Sequence, residues 1–121
     1  MSLPEDGCLL RIFVGESDRV DGKPLYEWLV REAREAGLAG ATVLRGIEGF
    51  GAHSRLHTAK ILRLSEDLPI VVEIVDARER VETFLTRVEP AIREGLATLE
   101  RVQVRLYRSG SPPPPADRRG N

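Results

Sequence analysis

The chain has 121 residues, with 18 basic and 19 acidic side chains and a formal net charge of -1. This length fits one domain, and the balanced charge argues against a surface dedicated to nucleic acid. The single cysteine, Cys8, excludes an intrachain disulfide and a multi-cysteine metal site. No leader-like run of basic and then apolar residues is present, and no apolar stretch reaches about 20 residues, so we expect a soluble, cytoplasmic protein.

The first half of the chain predicts a β-α-β unit. Residues 9–14 are almost all apolar and predict a central strand. Pro24 stands where a helix accepts proline as its first residue, and Gly37 and Gly40 supply a stop signal. The apolar stripe of the helix between them consists of Leu25, Trp28, Leu29, Ala33 and Ala36. Residues 41–45 then predict the second strand.

The second half repeats this order after a long loop. Residues 59–65 predict a short strand that returns beside residues 41–45, and residues 70–76 carry the strongest strand pattern of the chain. Asp76 and Glu79 have the spacing of a capping box for the next helix. The apolar stripe of that helix consists of Val81, Phe84, Leu85, Val88 and Ile92.

Proline and glycine mark the end of this second helix. Pro90 falls inside the helical pattern, so we expect a kink or a helix in two pieces, and Gly95 then ends the helical run. The last strand is predicted to begin near Thr98. Its alternating apolar residues are Val102, Val104 and Leu106.

This order of elements predicts an α+β fold of the ferredoxin-like type, βαββαβ. An antiparallel sheet carries both helices on one face, and a long β-hairpin joins its middle strands. We assign residues 9–108 to this domain, residues 1–8 to a flexible N-terminal segment and residues 109–121, with four consecutive prolines, to a disordered tail. Val71 and Val75 place apolar side chains on the other sheet face, so we expect subunits to pack sheet against sheet.

The loop at residues 45–58 is the candidate functional segment. It holds both histidines, and its glycines alternate around one aromatic residue, which allows positive φ or the close approach of a ligand. Backbone N–H groups near Gly49, Phe50 and Gly51 predict an anion-binding nest. Side chains available to neutralise a phosphate are Arg45, Arg55 and Lys60. Phe50 either stacks on a base or anchors the loop, and anchoring is the more common role. A mobile hairpin without a ligand is the alternative.

The two histidines, His53 and His57, stand four residues apart, the spacing of metal ligands on a helix. The surrounding glycines argue against a helix, and no carboxylate or cysteine at matching spacing completes a ligand set. We therefore predict no metal site. His57 and Thr58 are instead candidates for ligand or subunit contacts.

Charged residues outside the loop are candidates as well. Arg101 would reach a phosphate from a neighbouring subunit, or else it forms part of a solvated strand face, which is the more common case. Glu16 and Asp18 follow the first strand. They are interpreted either as groups that orient the loop or bind a ribose, or as ordinary turn and cap residues.

Four stretches of the chain together resemble one known family. They are residues 10–18 (LRIFVGESD), 22–26 (GKPLY), 40–51 (GATVLRGIEGFG) and 64–69 (LSEDLP). The chain resembles domain-of-unknown-function family 190, a branch of the PII-like superfamily, over the whole predicted domain. The resemblance implies a PII-like trimer of ferredoxin-like subunits with small ligands, often adenine nucleotides, in the clefts between subunits.

Two details qualify the resemblance to PII signalling proteins. Thr42 and Val43, followed by residues 49–51, are similar to the strand end and the T-loop base of PII proteins. Where PII proteins have a second, glycine-rich loop, residues 94–100 hold only Gly95. We therefore expect a monophosphate or a non-nucleotide ligand rather than a triphosphate bound in the PII manner.

We predict a regulatory protein, not an enzyme, that binds an AMP-like adenine nucleotide and acts on a partner through its loop. Expected partners are further copies of the chain, as a homotrimer, and a target such as a transporter, channel or enzyme; no cofactor is required. The alternatives are a trimeric interaction module without a small ligand and, less favoured, an enzyme with a cleft histidine as base. The candidate ligand-binding residues are Arg45, Gly46, Gly49, Phe50, Gly51, His53, His57, Thr58 and Arg101.

Overall fold

The structure, a computed structural model, describes residues 6–50, the backbone of residues 57–58, and residues 67–110. Its elements are, in chain order, β1 (Asp6–Gly15), β2 (Arg19–Val20), β3 (Lys23–Pro24), α1 (Leu25–Glu35), β4 (Thr42–Arg45), β5 (Glu48–Gly49), β6 (His57–Thr58), β7 (Pro69–Asp76), α2 (Arg78–Val88), a 3₁₀ turn (Glu89–Ala91) and β8 (Leu96–Gln103). Among these residues, no helix is long and apolar enough to span a membrane.

The four long strands form one antiparallel sheet in the order β4-β7-β1-β8. β1 and β7 therefore lie in the interior of the sheet, and β4 and β8 lie at its edges. Together with the two helices, this order confirms the predicted ferredoxin-like fold.

The core lies between the sheet and the two helices, because β1 and β7 bury alternate side chains on that face. Buried apolar residues from the strands are Cys8, Leu10, Ile12, Val14, Ile70, Val72 and Ile74. The helices contribute Leu25, Leu29, Ala33, Val81, Phe84 and Val88, all within the predicted stripes. Leu85 and Ile92 pack against this core and are only partly buried.

Two predicted boundaries are wrong at the ends of the sheet. β1 begins at Asp6, and Cys8 is 1% exposed, so the predicted flexible segment loses its last three residues to the sheet. These residues pair with the end of β8. β8 begins at Leu96 instead of Thr98 and ends at Gln103, so the strand does not extend through Val104 and Leu106 as predicted.

The ends of the helices correct one prediction and confirm another. The predicted capping box is wrong, because α2 is preceded by Ala77 and no side chain caps it. The buried carboxylate of Asp76 instead accepts hydrogen bonds from the N–H groups of Ala39 (2.8 Å) and Ala77 (2.6 Å) and pairs with Arg80. The expected two-piece helix is confirmed, since α2 ends at Val88 and the 3₁₀ turn that follows contains Pro90.

A small hairpin, β2–β3, stands between β1 and α1 and was not predicted. Its two-residue turn has positive φ at Asp21 (51°) and Gly22 (79°), as hairpin turns of this length require. Pro24 ends this hairpin and precedes the first residue of α1 instead of being that residue. The predicted strand 59–65 and residues 111–121 of the predicted tail lie outside the described residues.

Candidate functional site

The sheet face opposite the helices, which we call the open face, carries an apolar row across all four strands. Leu44 lies opposite Val71, Val71 opposite Phe13, and Phe13 opposite Leu96. The two outer members remain 48% (Leu44) and 58% (Leu96) exposed. A single chain therefore leaves an apolar ridge in water.

A charged group crosses the open face beside this row. Arg11 in the interior strand β1 donates to Glu73 (2.9 Å) and to Glu100 (3.2 Å) on the two neighbouring strands. The hydrogen bond with Glu73 is the largest cause that raises the pKa of Arg11. These three charged groups are thus paired with one another.

Residues 104–107, which we call the strap, leave the end of β8 and cross one end of the open face. A Cβ on Gly7 would lie only 2.8 Å from Val104 Cγ2, so the strap passes closely over β1 where that side chain is missing. Tyr107 at the far end donates from its hydroxyl to the carbonyl oxygen of Ala39, at 3.2 Å. The strap therefore bridges the last strand and the connection that leads into β4.

The strap and the sheet line an open cavity of about 730 Å³, which we call the strap cavity. Leu9 and Val75, which are paired on the open face, give it an apolar floor, and Thr42 and Glu73 supply polar groups at one side. This volume lies within the range of small-molecule sites, and an apolar surface with a few polar groups suits a flat, partly polar ligand.

The loop base is formed where residues 67–69 meet the ends of β1 and β4. The N–H groups of Glu16 and Ser17 donate to Leu68 O (2.9 Å) and to Asp67 Oδ1 (2.7 Å). The N–H of Gly46 donates to Pro69 O at 2.7 Å. The start of the loop and the connection after β1 are therefore anchored to the same short segment.

Arg45 is part of this anchor. Its guanidinium donates to the carboxylate of Glu16, and this hydrogen bond is the main cause that raises the pKa of Arg45. The interpretation of Glu16 as a group that orients the loop fits this contact. Asp18 serves as a turn residue, because its carboxylate accepts the N–H of Gly15 at 2.9 Å.

The described loop glycines are explained by packing. A Cβ on Gly46 would lie 2.7 Å from Pro69 Cγ, and a Cβ on Gly49 would lie 3.1 Å from the same atom. Neither residue has positive φ. Gly49 lies in β5 and pairs with His57 of β6. These two glycines admit the Pro69 ring, so the predicted ligand approach is not needed to account for them.

The nine candidate residues fall into four groups, one of which lies outside the described residues. Arg45, Gly46 and Gly49 meet at the loop base, and the side chain of Phe50 is 69% exposed beside them. Arg101 pairs with Cys8 near the other end of β1, so one chain does not bring it to the loop. His57 and Thr58 are placed as backbone in β6. Gly51 and His53, like Arg55 and Lys60, lie outside the described residues. Within residues 6–50 and 67–110, no group of three or more His, Cys, Asp or Glu could hold a metal ion.

The sequence profile of domain-of-unknown-function family 190, described as "Uncharacterized ACR", matches residues 7–104, which is most of the chain. The chain belongs to this family. The resemblance noted in the sequence is therefore confirmed, and the match covers all four strands of the large sheet.

Relatives with similar sequences come from Aquifex aeolicus and Methanocaldococcus jannaschii. A UPF0166 protein of Aquifex aeolicus is 44% identical over 96 residues, which cover 79% of this chain and 90% of the relative. The UPF0166 protein MJ1524 of Methanocaldococcus jannaschii is 32% identical over 85 residues, covering 70% and 78%. In both, the match takes in most of the relative's length.

Similarity to solved structures shows that the chain has a PII-like fold. CPII of Thiomonas intermedia, a nitrogen regulatory PII-like protein bound to ADP, AMP and bicarbonate, superposes with a TM-score of 0.63. It is 20% identical, with 82% of this chain and 88% of CPII covered. The putative PII-like signalling protein TTHA0516 of Thermus thermophilus gives a TM-score of 0.58 at 18% identity, covering 82% and 89%.

Sequence reasoning missed the strap cavity. Val104 and Leu106 were interpreted as strand residues, although both line this cavity with Tyr107. The alternation of apolar residues continues beyond Gln103, which hides the point where the chain leaves the sheet. The sequence signal for the close approach of the strap to β1 is Gly7, because the absence of a side chain there leaves room for Val104.

Proposed function

We propose that this protein is a PII-like regulator in which an adenine nucleotide occupies the strap cavity and controls the loop. The observation that carries the proposal is the position of β4. This strand of four residues begins with Thr42 at the cavity and ends with Arg45 at the loop base. A ligand that reorders the start of β4 therefore acts one short strand away from the loop.

The chemistry of the cavity supports a nucleotide. The apolar floor of Leu9 and Val75 offers a surface for a flat base, and Thr42 and Glu73 offer polar partners for amino or hydroxyl groups. Arg105 in the strap lines the same cavity and supplies a positive charge for a phosphate. ADP and AMP in the structure of CPII give a precedent for adenine nucleotides on this fold.

The proposed assembly is a homotrimer that packs through the open face. The apolar row spans all four strands of the sheet and requires a cover; it consists of Leu44, Val71, Phe13 and Leu96. The strap cavity lies on the same face, so a neighbouring subunit would close it and make it an inter-subunit cleft.

The loop is the proposed contact with a target such as a transporter, a channel or an enzyme. Ile47 and Phe50 are 76% and 69% exposed at its described end, which provides apolar contact area for a protein partner. The same exposure favours a second candidate, a trimeric module that binds its target without any small ligand. Both candidates are binding functions and not catalysis.

Isothermal titration of the full chain with AMP, ADP, ATP and cyclic nucleotides tests the proposal. We expect micromolar binding, about -8 kcal/mol, for at least one adenine nucleotide. Gly40→Ala should weaken it, because its methyl group is added to the lining of the cavity, while a Cβ there meets nothing within 4 Å and leaves the fold intact.

Two variants separate the possible sites. Thr42→Val removes one hydroxyl from the cavity, and Thr86→Val on the exposed side of α2 is the matched control. Arg45→Ala reports on the loop base. Binding that Arg45→Ala abolishes and Gly40→Ala leaves unchanged would move the ligand to the loop base. No binding by any nucleotide would favour the ligand-free module.

A further inference from the structure

A second cavity, of about 590 Å³, lies at the end of the sheet remote from the strap. The connection after β1 lines it with Ser17, Asp18 and Arg19, and the connection before β8 lines it with Arg93 and Glu94. Leu25, 1% exposed, provides an apolar contact. From Leu9 in the strap cavity to the end of β1 at Gly15 the strand spans about 20 Å, so the two cavities are separate.

Two guanidinium groups, those of Arg19 and Arg93, and two carboxylates, those of Asp18 and Glu94, line this cavity. The carboxylate of Asp18 accepts the N–H of Gly15 at 2.9 Å, and Glu94 already takes part in an interaction of its own. Arg19 makes only a 3.4 Å contact with the carbonyl oxygen of Gly22. Arg93 makes no hydrogen bond or ion pair in the part of the chain that the structure describes. Two guanidinium groups on opposite connections are thus available to a ligand.

We propose that this cavity binds a small oxyanion, either a carboxylate or a phosphate, through Arg19 and Arg93. A guanidinium presents paired N–H groups that match the geometry of carboxylate and phosphate oxygens. The hydroxyl of Ser17 is a further donor. The volume accommodates an anion larger than inorganic phosphate.

An anion in this cavity would act on the loop. Ser17 lines the cavity, and its N–H donates to Asp67, two residues before Pro69, whose carbonyl oxygen accepts the N–H of Gly46. Movement of Ser17 therefore reaches the loop base without passing through β4. This anion site would be a second input to the loop, independent of whether a nucleotide binds in the strap cavity.

Amide chemical shifts of the ¹⁵N-labelled full chain test the proposal. The chain is titrated with inorganic phosphate and, separately, with succinate, each against sodium chloride at constant ionic strength. We expect saturable shifts at Ser17, Asp18 and Arg93. Arg19→Gln and Arg93→Gln should each weaken the binding about tenfold, as expected for the loss of one charge-assisted hydrogen bond. The two probes show whether phosphate or carboxylate is preferred.

Arg31→Gln is the matched control, because it removes the same charge from the exposed side of α1, outside the cavity. It should leave binding unchanged. Shifts that rise without saturating, or that Arg31→Gln weakens as much as Arg93→Gln does, reflect charge screening and overturn the proposal. Because no nucleotide is present, the outcome does not depend on the proposed function.

Discussion

The hydroxyl of Tyr107 donates a hydrogen bond to the carbonyl oxygen of Ala39, 68 residues earlier in the chain. Ala39 itself donates its N–H to the buried carboxylate of Asp76. The end of the strap is therefore attached to a residue that is already fixed to the end of β7. This pair of contacts fixes the far end of the strap beside the strap cavity.

Tyr107→Phe should loosen the strap without unfolding the domain. The substitution removes one exposed hydrogen bond, which costs at most about 1 kcal/mol, and keeps the ring. We expect faster amide hydrogen exchange at residues 104–107 and a several-fold loss of nucleotide affinity. Tyr26→Phe, which removes the same atom from α1, is the control. If amide hydrogen exchange at residues 104–107 is equally fast in Tyr107→Phe and Tyr26→Phe, the Tyr107 hydroxyl does not hold the strap.

Gly7→Ala and Gly40→Ala should have opposite effects on stability. A methyl group at Gly7 meets Val104 and forces the strap away, at a cost of order 1 kcal/mol, whereas a methyl group at Gly40 meets no atom. Because alanine restricts the unfolded chain, Gly40→Ala should be neutral or stabilising by up to about 1 kcal/mol. Thermal unfolding measures both, and a stabilising Gly7→Ala would contradict the close approach of the strap.

Gly46→Ala should destabilise the loop base through Pro69. The added Cβ would lie 2.7 Å from the proline ring, an overlap that typically costs about 1–3 kcal/mol. Pro69→Ala removes the ring, so the double variant should recover most of the loss. Unfolding of the four proteins of this cycle gives the coupling energy. If the stability losses of the two single variants simply add in the double variant, Gly46 is needed for a reason other than the Pro69 ring.

Glu73→Gln should lower stability more than Glu100→Gln. Both carboxylates accept from Arg11, but the bond to Glu73 is shorter (2.9 against 3.2 Å), and Glu73 is less exposed (29% against 60%). Unfolding measured at low and at high salt checks this order, and both losses should shrink as salt screens the pairs. A larger loss of stability for Glu100→Gln would show that Glu100, and not Glu73, is the stronger partner of Arg11.

The contribution of Arg11 should not change with pH in ordinary buffers. A pKa that is raised in the folded state gives stability that is complete below the unfolded pKa and is lost only as the pH rises through the folded value. For an arginine, both values lie in the strongly alkaline range. The stability difference between the wild type and Arg11→Gln should therefore stay constant between about pH 6 and pH 9.

Leu96→Glu should dissociate the proposed trimer. It places a charge at the outer end of the apolar row, where a subunit interface would bury it. Ile47→Glu is the control, since Ile47 is even more exposed but lies in the loop. Sedimentation velocity should show smaller particles for Leu96→Glu alone. A wild-type monomer would refute the open-face assembly.

Much of the fold could be predicted because its signals are local. The alternation in residues 70–76 and the stripes of both helices depend on near neighbours in sequence, and they lie where they were expected, except that Ile92 follows the 3₁₀ turn and is not on the helix. The capping box failed for a different reason. Asp76 has partners on a distant connection, at Ala39, and no local pattern reveals them.

The candidate site was harder to predict for the same reason. Gly46 and Gly49 suggested a ligand, but their neighbour is Pro69, which lies far along the chain, beyond the whole loop. The strap residues suggested a strand because their alternation continues past the sheet. In both cases the deciding contact joins segments that are far apart in sequence, and periodicity carries no information about it.

The position of β1 also has a consequence during synthesis of the protein. Arg11 is bonded to residues 62 and 89 positions later, on the two strands that flank it. A ribosome therefore releases β1 well before either of the two strands that flank it. Until residues 96–103 emerge, one side of β1 presents unpaired backbone groups to other nascent chains. Such long-range pairing slows folding, so the newly made chain depends on β8 for protection from aggregation.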